Sequence, residues 1–168
     1  MTRVMELAEG PTELDRVWGL RPEYFALFMQ DYRKSIARID PVMLELCRLR
    51  VAQMVESEFD QALRYRPARE SGLDEAKIAA LADYPASALY SERERIILEF
   101  TEQWVLQSSS ITDDDVARLQ TVMTPEEFMY SCKALSLIDH FARANSAFRL
   151  APPPVVPAAM PEFILSAA

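Results

Sequence analysis

The sequence predicts an all-α fold, on three observations. Apolar residues recur three to five positions apart along almost the whole chain, the 168 residues include only three glycines, and nothing reads as a strand. Half of the residues are hydrophobic, enough for one domain with a sizeable core. The spacing places that helical domain in residues 1–150 and leaves 151–168 as a proline-rich arm.

Each helix has its own signal. Residues 21–36, "RPEYFALFMQDYRKSI", form an amphipathic helix with Pro22 in the first turn. Asp40 caps the next helix with Pro41 at its first position, and Val42, Leu46, Leu49 and Met54 form the stripe to about residue 55. The pattern continues over 57–71 through Phe59, Ala62, Leu63 and Ala68, with Gly72 as the stop and Pro67 as a kink or early end. These two helices form an antiparallel hairpin at the centre. A short helix over 74–83 ends at Tyr84-Pro85. Ser91 and Glu94 read as a capping box before Ile97, Phe100, Trp104 and Val105. "SSS" at 108–110 is a loop, Thr112 with Asp113, Asp114 and Asp115 opens another helix, and Thr124-Pro125-Glu126-Glu127 opens the longest, to about Arg149. Five prolines after Ala151 keep the tail extended, and with its apolar Phe163, Ile164 and Leu165 it reads equally as a disordered tail or as an arm laid over a neighbouring subunit.

Charge and composition remove several function classes. A net charge of −8 disfavours nucleic acid as a partner. No segment has the roughly 18 consecutive apolar residues of a membrane span, and the N-terminus lacks a signal-peptide pattern, so a cytoplasmic protein is expected. Cys47 and Cys132 sit apart among apolar residues, outside any Cys-x-x-Cys pair or zinc spacing, so buried reduced thiols are expected and no metal.

The helix order, "LELCRLRVAQ" at 44–53, Gly72-Leu73 and "DEAKIAAL" at 74–81 together resemble the carboxymuconolactone decarboxylase family, which includes the alkyl hydroperoxidase D-like proteins. The resemblance covers about residues 20–150 and implies an alkyl hydroperoxidase D-like helical bundle. It also implies homo-oligomers, trimers or hexamers. In the family's peroxidase branch the signature is Glu, eleven residues, then Cys-x-x-Cys-x-x-x-His. Here Glu45 keeps the first position, Ser57 and Asp60 replace the thiols, and Arg64 replaces the histidine. The decarboxylase branch is similar at Asp60, which matches its acidic residue, but has histidine where Arg64 stands.

These replacements alter the chemistry. A serine hydroxyl forms neither a disulfide nor a sulfenic acid, so peroxide reduction by the dithiol route is lost. Arginine stays protonated and cannot act as a base, but it holds a carboxylate with a forked pair of hydrogen bonds. Four positions apart on a helix, Asp60 and Arg64 would be neighbours, and the cation would keep Asp60 ionised.

The resulting expectation is a cofactor-independent enzyme, a decarboxylase, lyase or isomerase, acting on a small anionic, carboxylated or enolisable molecule. Glu45 and Asp60 would transfer protons, while Arg64, Ser57, Arg48 and Tyr65 would bind substrate. His140, the only histidine, is an additional candidate, although a lone histidine is most often structural. The alternative is a non-catalytic ligand-binding or scaffold protein, because an Asp–Arg pair at this spacing is equally a solvated helix face worth a few tenths of a kcal/mol. Convergence of Glu45, Asp60 and Arg64 on one enclosed cavity separates the two readings.

Overall fold

A computed structural model describes residues 2–4 and 7–159, together with the backbone of 163–165. The helices are α1 (Glu13–Trp18), α2 (Pro22–Ile36), α3 (Pro41–Met54), α4 (Glu58–Ala62), α5 (Arg66–Glu70), α6 (Glu75–Ala79), α7 (Glu92–Gln107), α8 (Asp113–Gln120) and α9 (Pro125–Phe148). Two three-residue strands, β1 (Leu63–Tyr65) and β2 (Phe163–Leu165), pair antiparallel with Leu63 opposite Leu165.

Helix α3 is the axis of the bundle. It packs on α7, α9, α4 and α5, and buries Leu44, Leu46, Cys47, Leu49, Val51 and Ala52 on several sides. A helix apolar nearly all round belongs inside a fold, and Asp40 caps it by accepting the Met43 N–H. Helix α2 lies along α9, where Phe28 stacks on Phe141 at 5.1 Å between ring centroids. The capping boxes at Ser91, Thr112 and Thr124 all form. The 108–110 segment is a turn of 3-10 helix.

The second arm of the central hairpin is broken. The expected helix over 57–71 is instead α4, β1 and α5 in succession. Pro67 explains where continuity fails: in an unbroken helix the Leu63 carbonyl would need the N–H of residue 67, and proline has none. That carbonyl instead accepts from Arg48 Nη2 at 2.9 Å and from Arg64 Nη1 at 2.8 Å. The break thus falls four residues before the proline.

Helix α1 has no signal in the sequence because six residues carry too little pattern. Thr12 caps it, and a Cβ at Gly19 would collide with the Asp15 carbonyl oxygen, so only glycine fits where the chain leaves the helix. Gly72 adopts φ 95° after α5. The tail runs back over its own chain: the Ala151 N–H donates to Glu13 and the Ala159 N–H to Asp15, each at 3.0 Å, before β2 pairs with β1. The expected docking of the Phe163, Ile164 and Leu165 side chains on a neighbour lies outside the described residues.

Candidate functional site

The helix break creates a site. Inside the bundle, Glu45 and Arg48 form a forked ion pair, Nε to Oε2 at 2.6 Å and Nη2 to Oε1 at 2.9 Å. Both are buried, Glu45 with only 1% of its surface exposed. Arg48 also donates to main-chain carbonyls, Asp60 at 2.7 Å and Leu63 at 2.9 Å. Glu45 also accepts the Tyr65 N–H at 2.9 Å. This pair therefore replaces the helical hydrogen bonds lost between α4 and α5. Burial works against the Arg48 charge, but Glu45 and, more weakly, Asp60 outweigh it and hold its proton more tightly than usual.

Asp60, 4% exposed, projects from α4 into the space between α2, α3 and α9. Its Oδ2 accepts two hydrogen bonds, from the Ser57 hydroxyl and from Asn145 Nδ2 at 3.0 Å. Ser57 also caps α4, accepting the Asp60 N–H. The Arg48 fork faces Glu45 and offers Asp60 a bond to its carbonyl, not its carboxylate. Burial consequently dominates and raises the Asp60 pKa above the ordinary carboxylate value, against the Ser57 and Asn145 hydrogen bonds and the nearby Arg48 charge.

Asp60 and Arg48 meet Tyr32, Phe28, Ile138, Phe141 and Ala142 around a narrow cleft. Its cavity is about 20 Å3, room for one water. Phe28 stacks on Tyr32 at 6.1 Å, and Trp18 backs Phe141 at 5.3 Å, so the walls are aromatic. Burial also pushes the Tyr32 phenol well above its usual range, keeping it a neutral donor.

The structure gathers Glu45, Arg48, Ser57 and Asp60, brings Tyr65 to them only through its main chain, and separates Arg64 and His140. Arg64 does not share a helix face with Asp60, because the chain is extended at β1; it binds Glu75 at 3.1 Å and the Gln61 carbonyl at 2.6 Å. The expected pairing that would have kept Asp60 ionised is therefore absent. Tyr65 contributes its N–H to Glu45, and its ring is not among those lining the cleft. His140 is exposed on α9 with its ring 6.2 Å from Phe28, and its neighbour Asp139 pairs with Arg143 at 2.8 Å. Cys47 and Cys132 are free thiols, each pushed up to about 11 by burial.

Asn145 and Trp18 were not legible as site residues. Asn145 follows Phe141 and Ile138 at helical spacing, and a lone amide on that apolar stripe of α9 is the signal that would have found it.

No family model matches the sequence. The uncharacterized protein YnjA of Escherichia coli K12 is 28% identical over 135 residues, 79% of this chain and 74% of the relative. Among solved structures, ATU0492 of Agrobacterium tumefaciens, a protein of unknown function suggested to be the antioxidant defence protein AhpD, matches with TM-score 0.74 and 22% identity, over 91% of this chain and 99% of that one. The debrominase Bmp8, solved as a C82A variant with 2,3,4-tribromopyrrole, matches with TM-score 0.68 and 15% identity, over 88% of this chain and 78% of that one. The chain has the alkyl hydroperoxidase D-like all-helical fold.

Proposed function

We propose that this protein is a cofactor-independent acid–base enzyme, lyase- or isomerase-like, in which Asp60 carries the proton. One observation supports this above all: a buried carboxyl group without a cationic partner on its carboxylate stands at an aromatic cleft, beside a neutral phenol. A raised pKa brings a carboxylic acid closer to the pH at which it can both give and take a proton. Tyr32 is positioned by the same cleft to donate a hydrogen bond to developing negative charge.

The charges refine the substrate class. Glu45 neutralises Arg48, so an ionised Asp60 would leave the site with a net negative charge. A carboxylate substrate would be repelled, and the forked grip expected of an arginine on such a group is already given to Glu45. The reading is therefore an uncharged, flat molecule with an enolisable or otherwise acidic C–H. A structural neighbour that holds a brominated pyrrole is in keeping with aromatic walls of this kind. Dithiol peroxidase activity is not proposed, since positions 57 and 60 lack thiols and burial keeps Cys47 and Cys132 protonated.

A non-catalytic binding role is the second reading, favoured by the small cavity and by the full engagement of Glu45. A thermal-shift screen of small neutral carbon acids, followed by exchange of the acidic proton for deuterium in the hits, distinguishes the two. Enzyme-dependent exchange that disappears in Asp60→Asn supports the acid–base reading. Binding without exchange supports the second, and exchange at the wild-type rate in Asp60→Asn contradicts Asp60 as the acid.

A further inference from the structure

The indole N–H of Trp18 donates to Asn145 Oδ1 at 3.1 Å, and Asn145 Nδ2 donates to Asp60 Oδ2 at 3.0 Å. An indole is only ever a donor, so it fixes which end of the amide faces which neighbour. The carbonyl oxygen of Asn145 must meet Trp18, and the NH2 must meet Asp60. Ser57 supplies the second donor: its oxygen accepts the Asp60 N–H and its hydroxyl donates to Oδ2. Oδ2 thus receives two donors and has no place for a proton of its own.

We propose that Asn145, oriented by Trp18, is a positioning residue that dedicates Asp60 Oδ2 to the protein and makes Oδ1 the oxygen that gains and loses the proton. This rests on Asp60 as the proton-transferring group. The arrangement gives a buried carboxyl a single defined proton site, whereas a carboxyl rotating between equivalent oxygens would present its proton in the wrong place part of the time. The other charged or titratable groups around Asp60 are Arg48 and Glu45 from α3 and Tyr32 from α2, with Tyr65 of β1 next to Tyr32; the α9 contribution is the neutral amide of Asn145. Loss of Asn145 therefore removes a donor to the carboxylate without changing any formal charge, and a donor to the ionised form lowers a carboxyl pKa.

The test is an NMR titration of the full-length protein carrying 13C-labelled aspartate and 15N-labelled tryptophan, with the Asp60 signal assigned by its absence in Asp60→Asn. In the wild type, the Trp18 indole N–H should shift with the same midpoint as Asp60, and this response should vanish in Asp60→Asn. In Asn145→Leu the Asp60 midpoint should move upward, and in Trp18→Phe, which keeps a ring but frees the amide to turn, it should move in the same direction. A residue that merely fills space would change stability and leave the midpoint where it was. An indole signal that does not follow Asp60, or an unmoved midpoint in either folded variant, overturns the proposal. The wild-type arm decides it if neither variant folds. Failure of the proposed function is a separate result, namely proton exchange that persists in Asp60→Asn although the wild-type indole follows Asp60.

Discussion

Asp60 owes its properties to a competition for one arginine. Glu45 lies one helical turn from Arg48 on α3 and takes its fork, leaving the Asp60 carboxylate with neutral donors only. Because its folded-state pKa is raised, the native protein binds more protons than the unfolded chain between the ordinary carboxylate value and the folded one. Stability therefore falls as pH rises through that window and levels off above it. Asp60→Asn should remove this slope: its carbonyl oxygen can accept from Ser57 and Asn145, and its NH2 can stand where the protonated oxygen stood. Melting temperatures measured across pH should show the variant at least as stable as the wild type on the alkaline side and without the Asp60 contribution to the slope. A variant clearly less stable there would contradict a buried carboxyl whose carboxylate is held by neutral donors. Three of the site residues, Glu45, Ser57 and Asp60, were legible in the sequence through the signature it resembles, and Arg48 only as a candidate substrate-binding arginine. Arg64 misled because its place relative to Asp60 depends on an unbroken helix, and Asn145 was silent because its partners are distant in sequence.

At the scale of elements, helix starts were legible where a side chain alone makes the cap. Asp40, Ser91, Thr112 and Thr124 all cap as their spacing predicts. Pro67 signalled an interruption of the second arm, but the extended β1 segment after α4 was not legible, since it depends on Arg48 and Glu45 supplying bonds from another helix. Arg48→Met should therefore destabilise the protein strongly, by about 3–5 kcal/mol in urea unfolding, because it strands a buried Glu45 and leaves two carbonyls short of donors. A loss under about 1 kcal/mol would mean the pair does not hold the break. Arg64→Ala should behave differently. Its ionic partner Glu75 is half-exposed, but Arg64 itself is 12% exposed and donates to the Gln61 and Leu63 carbonyls, so the cost should be about 1–2 kcal/mol, below that of Arg48→Met, and binding of any cleft ligand should be unchanged. A large drop in affinity would return Arg64 to the site.

For the whole molecule, the fold class was the most legible feature, since periodicity along a glycine-poor chain depends on no single contact. No helix among the described residues is long and apolar enough to cross a membrane. The outer faces of α2 and α9 leave Tyr24, Leu27 and Met129 between 61% and 64% exposed, and we expect copies of the chain to associate there. Sedimentation should report a trimer or hexamer that Leu27→Glu weakens, whereas a 19.2 kDa monomer at micromolar concentration would remove that expectation. The proposed chemistry depends most on Asp60 retaining its proton beyond the usual carboxylate range. The direct measurement is the 13C titration of its carboxyl in the wild-type protein, identified by the signal missing in Asp60→Asn. A midpoint above the ordinary aspartate value is predicted, and a midpoint at or below it would contradict the account.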